Sequence, residues 1–234
     1  MTTHRSTRRR ARIVGVIASR ADLDRALRMR RPPDLFELRL DCLAGAADQL
    51  QSTLAKLRAP LIVTARHPQE GGAGKLSLPQ RRDLLTRFLN HADYLDVELR
   101  SAPALRRLLA LAQTKNIRRI ISFHAFNSTP SARLLAAKAR MAITHGANIF
   151  KVATRTDFPM ELECLLDFMT NSHLNIPVAA MGIGKLGVIS RVLLARAGSV
   201  LVYASLSTRV TEGQPSVEQL QALGIGSGRT VNDK

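Results

Sequence analysis

The chain of 234 residues has no tryptophan, two tyrosines and seven phenylalanines, so aromatics make up only 4% of it, yet hydrophobic residues reach 45%. Such an interior must rest on Ala, Leu, Ile and Val, which suits a helix-rich or α/β protein. A disordered chain lacks this apolar content. Cysteine is scarce as well: Cys42 and Cys164 cannot build a disulfide framework, and their spacing fits no structural zinc site. They read as two reduced thiols of a cytoplasmic protein. No apolar run reaches the roughly 18 residues that a membrane span needs.

Acidic residues are the other shortage, 18 against 35 Lys and Arg, for a formal net charge of +17. Residues 1–12 hold Arg5, Arg8, Arg9, Arg10 and Arg12 and no acid. With no apolar segment beside these arginines, the stretch is not a secretory signal. It reads as a basic tail over residues 1–11, with an organelle transit peptide as the alternative. The rest of the chain is basic too, which is compatible with nucleic acid, an anionic substrate or a solvated surface.

Order along the chain is more informative. Short apolar or β-branched runs recur at Ile13–Ile17, Leu35–Leu40, Leu61–Thr64, Tyr94–Leu99, Ile117–Phe123, Asn148–Val152, Ile176–Ala180 and Val200–Ala204. Between them lie longer Leu-, Ala- and Arg-rich segments that read as amphipathic helices. Ser77-Leu78-Pro79-Gln80 looks like a capping box, and Thr129-Pro130 like an N-cap with a first-turn proline. Gly146 and Gly198 stand where helices end.

Strand–helix alternation implies a parallel sheet, either open and doubly wound or closed into a barrel. A parallel sheet buried on both faces reads as nearly continuous hydrophobics. Here Glu37, Arg39 and Asp41 alternate with Phe36, Leu38 and Leu40, and Asp96 and Glu98 alternate with Leu95, Val97 and Leu99. Charge on one face of several strands requires a shared polar interior, and a (β/α)₈ TIM barrel supplies one at the C-terminal ends of its strands. The expectation is one domain, an α/β barrel over residues 12–223, followed by a frayed Gly-rich tail over 224–234.

Glu37, Arg39, Arg66, Glu70, Glu98, His124 and Lys151 fall near strand ends, with Arg191 and Gln214 beyond the last two strands. One imidazole among carboxylates and guanidinium groups is a poor metal site, so no metal is expected. Lys151, flanked by Ile149, Phe150, Val152 and Ala153, is costly in a barrel strand unless its charge is used or suppressed. A neutral amine there can attack a carbonyl and form an imine. The alternative is a lysine that reaches for solvent or pairs with Glu98. His124 ends its strand, where an imidazole can act as general base and then acid, or can be a structural hydrogen-bonding group. Gly182-Ile183-Gly184-Lys185 lacks the spacing of a phosphate loop. Ser190-Arg191, near a helix start, instead suits a carboxylate.

Read in order, these segments resemble the type I 3-dehydroquinate dehydratases. The resemblance is carried by Glu37-Leu38-Arg39-Leu40-Asp41, Thr64-Ala65-Arg66 with Glu70-Gly71-Gly72, and Asp96-Val97-Glu98-Leu99. It continues through Ser122-Phe123-His124-Ala125-Phe126, Thr129-Pro130, Lys151, Met181, Gly187-Val188-Ile189-Ser190-Arg191 and Glu212-Gly213-Gln214, and spans roughly residues 12–220. It implies a (β/α)₈ barrel, commonly a homodimer, that converts 3-dehydroquinate to 3-dehydroshikimate without metal or cofactor. It further implies Lys151 as the Schiff-base lysine, His124 as the proton-transfer group and Glu70 as its support. Glu37, Arg39 and Arg66 match polar substrate contacts, Arg191 and Gln214 the grip on the substrate carboxylate, and Met181 and Tyr203 the pocket wall. Ala125 stands where the family often has Asp, Val210 (beside Thr211) where it has a serine, and Ile183 where it has a second methionine.

Two other readings compete. An aldolase-type barrel would use the same lysine but needs a phosphate grip after the last two strands. A nucleic-acid-binding protein needs clustered Arg with exposed aromatics, and aromatics are few.

Overall fold

A computed structural model describes residues 10–207 and 210–226. Eight strands alternate with helices along the chain. The first half runs β1 (Arg12–Ile17), α1 (Arg20–Arg28), β2 (Leu35–Arg39), α2 (Leu40–Leu43), α3 (Ala47–Leu54), β3 (Leu61–Thr64), α4 (Leu78–Phe88), β4 (Tyr94–Glu98) and α5 (Arg106–Thr114). The second half runs β5 (Arg118–Ala125), α6 (Ala132–Thr144), β6 (Ile149–Arg155), α7 (Pro159–Asn171), β7 (Val178–Ile183), α8 (Gly187–Ala197), β8 (Leu201–Ser205) and α9 (Val217–Ala222).

All strand pairings are parallel, in the order β7-β6-β5-β4-β3-β2-β1-β8. β1 is laddered on both sides, Val14 opposite Leu35 and also opposite Tyr203. The last gap, between β7 and β8, is bridged differently. The Val200 amide donates to the Val178 carbonyl at 2.9 Å, and the buried Ser199 hydroxyl accepts from the Ala180 amide at 3.0 Å. The result is a nearly closed (β/α)₈ barrel.

Inward-facing side chains of such a barrel stack in layers contributed by alternate strands. Nearest the N-terminal end, Leu35, Tyr94, Ile149 and Leu201 come from the even strands, and Val14, Ile62, Ile120 and Ala179 from the odd ones. The next even layer changes character to Glu37, Asp96, Lys151 and Tyr203. Polarity therefore begins about halfway up the barrel. The opposite parity, with Phe36, Leu38, Val63, Leu95, Val97, Phe150 and Val152, packs outward against Leu23, Leu85, Leu108, Leu135 and Leu165 of the helices. Charge alternating with hydrophobics along β2 and β4 thus has the origin inferred from sequence.

Several boundaries differ from expectation. β2 stops at Arg39 and the chain turns into α2, so Asp41 is a buried helical residue and not the last of a strand. β5, β6 and β7 run on to Ala125, Arg155 and Ile183. Their C-terminal ends carry His, Thr, Arg or Gly in place of a continuous apolar run, which hides the strand. The N-cap of α6 is Ser131, whose hydroxyl accepts from the Leu134 amide. The Thr129 hydroxyl is used elsewhere, donating to the Arg155 carbonyl at 2.6 Å. The capping box Ser77–Gln80 is present at α4, and Gly198 closes α8 at φ 114°. Of the expected N-terminal tail, Arg10 and Ala11 are described: Arg10 pairs with Asp34, and Ala11 is buried. Of the expected tail after 223, Ile225 is buried and its amide bonds the Leu220 carbonyl. Residues 1–9 and 227–234 lie outside the described residues. Cys42 and Cys164 are both free and half-buried.

Candidate active site

Ten of the residues singled out from the sequence line one cavity at the C-terminal end of the barrel: Glu37, Arg39, Arg66, Glu70, His124, Lys151, Met181, Arg191, Tyr203 and Gln214; Glu98 is not among the lining residues. Of the positions that depart from the family pattern, Val210 (with its neighbour Thr211) and Ile183 line it as well, whereas Ala125 is not among the lining residues. The free space is small, about 60 Å³.

Lys151 projects from β6 into the first polar layer and is 4% exposed. Its Nζ donates to Asp96 Oδ2 at 2.9 Å and to Glu37 Oε1 at 3.2 Å, and stands 3.8 Å from the centroid of the Tyr203 ring. The alternative pairing with Glu98 does not occur. Glu98 lies one layer higher and serves Arg66 at 3.2 Å and Arg81 at 2.8 Å. The partner missed in sequence is Asp96, which also accepts from Arg66 Nη2 at 2.8 Å and from the Ser122 hydroxyl at 2.6 Å. Burial alone would raise the Asp96 carboxyl; Arg66 and Lys151 overcome it and hold the group well below the usual range. The signal was available, since Asp96 shares the parity of Glu98.

Arg39 is fixed by a two-pronged contact with Asp41, Nε to Oδ1 at 3.0 Å and Nη2 to Oδ2 at 2.8 Å. Asp41 in turn accepts from the amides of Arg66 and Ala73, at 3.0 and 2.9 Å. One carboxylate thereby joins the ends of β2 and β3 to the loop that carries Glu70. Burial works against the Asp41 anion, but Arg39 and these amides keep its carboxyl low.

His124 sits at the top of β5, with Nδ1 3.0 Å from Glu70 Oε2, and the same oxygen accepts from the His124 amide at 3.1 Å. Burial first, then the charges of Arg66 and Lys151, push the imidazole well below its ordinary 6.5. Glu70 moves the other way, to about 7, through burial and then the charge of Glu98. The Phe126 ring stacks on the imidazole at 6.4 Å between centroids. It can pack there because residue 71 is glycine at φ 81°, where a Cβ would overlap the ring.

Arg191, on α8, is enclosed by carbonyls. Nε donates to Tyr203 at 3.1 Å, and Nη1 to Gly182 and Gly187 at 2.8 Å and to Gly213 at 3.1 Å. Burial alone pushes it down to about 10, and no carboxylate among the described residues offsets that burial. Of the guanidinium and backbone amides expected to serve a carboxylate at Ser190-Arg191, the Ser190 amide is spent on the Leu186 carbonyl at 2.8 Å, and its hydroxyl accepts from the Gly182 amide and donates to the Gly187 carbonyl. Gln214 is buried, with Oε1 accepting from the Val210 amide at 2.9 Å, which leaves its amide nitrogen as donor. The loop that holds it is tied to β6 by Arg155 and Glu212 at 2.8 Å. Among the described residues no three His, Cys, Asp or Glu side chains are grouped to hold a metal ion, and no helix is long and apolar enough to cross a membrane.

Fold and site together define a (β/α)₈ barrel of the enzyme type, with a buried lysine, a carboxylate-backed histidine and an arginine without an acid partner facing one cavity. The sequence matches the profile of the type I 3-dehydroquinase family over residues 14–224. It is 32% identical over 186 residues to a 3-dehydroquinate dehydratase of Thermodesulfovibrio yellowstonii, covering 77% of this chain and 80% of that one. The crystal structure of a 3-dehydroquinate dehydratase from Geobacillus kaustophilus superposes with a TM-score of 0.83 at 24% identity, covering 91% of this chain and 89% of that one. A type I enzyme from Clostridium difficile superposes at 0.81 and 25% identity, covering 92% and 91%. The chain belongs to the type I 3-dehydroquinase family.

Proposed function

We propose that this chain is a hydro-lyase that converts 3-dehydroquinate to 3-dehydroshikimate through an imine on Lys151, the third step of aromatic amino-acid biosynthesis. The observation that carries the reading is Lys151 itself, buried in a polar layer and facing the same cavity as His124. Glu37, within hydrogen-bonding distance of Nζ at 3.2 Å, can take the proton that leaves the amine. The freed nitrogen attacks the C3 ketone, and loss of water from the carbinolamine leaves an iminium. His124, oriented by Glu70, removes a proton from C2. The electron pair is held as an enamine until the C1 hydroxyl departs with a proton from His124. Water then hydrolyses the iminium, releasing product and restoring the amine. No step requires a metal or cofactor. Arg191 and Gln214 hold the substrate carboxylate, Glu37, Arg39 and Arg66 face its hydroxyl groups, and Met181 and Tyr203 form the wall.

The protein works as a cytoplasmic homodimer with residues 12–223 as its catalytic unit. Support for the dimer comes from exposed Leu134, Phe158, Met160 and Ile189 on or beside α6, α7 and α8; two free thiols support the reducing compartment.

Borohydride added during turnover tests the central claim. The imine should be reduced to a secondary amine, and peptide mapping should place the adduct on Lys151. Labelling of Lys56, Lys75, Lys115, Lys138 or Lys185 with Lys151 spared would sink it. Lys151→Arg keeps the charge, and should give neither adduct nor product.

A further inference from the structure

Two more guanidinium groups face inward at the other, N-terminal end of the barrel. Arg12 and Arg118 are the first residues of β1 and β5, on the inward parity of Val14 and Ile120. Both donate to the Tyr94 hydroxyl, at 3.1 and 3.3 Å, and both lie against its ring, at 5.6 and 5.8 Å from the centroid. Neither pairs with a carboxylate among the described residues. Asp34, the acid lining the same cleft, is taken by Arg10 at 2.9 Å and by the Ile13 amide at 2.8 Å. Asn148 lines it too; its Oδ1 accepts from Arg119, leaving the amide nitrogen as a donor. The cleft measures about 710 Å³.

Two cations held to one neutral oxygen repel each other, and an aromatic face offsets that only in part. An anion of two charges would turn the repulsion into attraction. Guanidinium forks match phosphoryl oxygens in geometry, and an amide donor fits beside them. We propose that the N-terminal mouth of the barrel is a binding site for a phosphoryl-bearing anion, held by Arg12, Arg118 and the Asn148 amide.

The test is calorimetric titration of the full chain with pyrophosphate at fixed ionic strength. One site per chain is expected, weakened at least tenfold by Arg118→Gln, less by Arg118→Lys, and unchanged by Arg82→Gln, whose side chain is exposed on α4. Malonate, which has the charge without the phosphoryl geometry, should bind at least tenfold more weakly. Pyrophosphate should raise the melting temperature of the parent but not of Arg118→Gln, and that variant should be no less heat-stable than the parent in phosphate-free buffer. Tighter binding of ADP than of pyrophosphate would assign the group to a nucleotide, and weaker binding to a free phosphoanion; both uphold the site. The proposal is overturned by absent saturable binding, by equal loss in Arg82→Gln, by equal affinity for malonate, or by pyrophosphate competing with 3-dehydroquinate. Calorimetry reads this site without turnover, so its result is independent of the proposed dehydration.

Discussion

At the C-terminal mouth Arg66 is enclosed by Asp96, Glu98 and Ser122, and Arg39 by Asp41, around about 60 Å³ of free space. At the N-terminal mouth Arg12 and Arg118 share one phenol oxygen beside a cleft of about 710 Å³. A charge that is wholly buried must be matched, because the uncompensated ion costs several kcal/mol; one near water need not be. Arg191 breaks this rule at the C-terminal end, being 2% exposed with carbonyls as its partners. Arg191, buried among carbonyls, and the Arg12–Arg118 pair, open to its cleft, are the guanidinium groups to which the two proposed anion sites are assigned.

The largest effect is expected at the centre of the barrel, where Lys151 is the matched cation. Lys151→Ala should lower turnover by about 10⁴-fold or more, with the circular dichroism spectrum retained. Next is Asp96→Asn, which leaves Arg66 and Lys151 short of a buried counter-charge and should cost about 3–5 kcal/mol in chemical denaturation. A loss below 1 kcal/mol would mean that Glu37 and Glu98 compensate. Arg191→Ala should reduce transition-state stabilisation by about 2–4 kcal/mol in kcat/KM, and Gln214→Ala by less, since a neutral amide is the weaker partner. Unchanged kinetics for Arg191→Ala would place the carboxylate elsewhere.

A subtler test uses pH. Because the Glu70 carboxyl is raised to about 7 in the folded protein, the native state holds this proton more tightly than the unfolded one. The stability it contributes is present in acid and is lost as pH climbs from about 4.5 through 7. Activity should move the opposite way. The carboxylate form supports His124, whose imidazole is held well below its ordinary 6.5 by burial and by Arg66 and Lys151, so kcat/KM should rise through about pH 7. Glu70→Gln should remove both slopes; an unchanged acid limb would assign it to another group. The smallest effect is expected at the far mouth, where Arg118→Gln should leave kcat/KM within about twofold of the parent, as surface changes away from a site do.

Much of the barrel and its site was legible because alternation is a one-dimensional signal. Glu37 and Arg39, or Asp96 and Glu98, declare a polar inner face without any coordinates. Alternation cannot show how far each strand slides along its neighbour, and that tilt sets Lys151 against Asp96 and not Glu98. Thr129 and Ser131 are both competent helix caps; the choice was made by the carbonyl of Arg155, remote in sequence. Arg12 was hidden among the arginines before it and Arg118 beside Arg119, although parity places both inside. The exhaustion of Ser190 by Gly182 and Gly187 has no sequence signal at all.

The gap between β7 and β8 has a dynamic consequence. A ladder such as that between β1 and β8 must lose several hydrogen bonds together before it parts, whereas a serine hydroxyl lets go by rotating about one bond. Local opening takes the route of least free energy, so the N-terminal part of this seam, below the strand ends that Arg191 ties together, is where opening is expected first. The amide protons of Ala180 and Val200 should therefore be replaced by solvent deuterium sooner than those of Val14 to Val16. Higher up the same seam Arg191 replaces the missing ladder, its guanidinium bonded to the carbonyls of Gly182 on β7 and Tyr203 on β8, so one side chain both faces the cavity and holds its wall together.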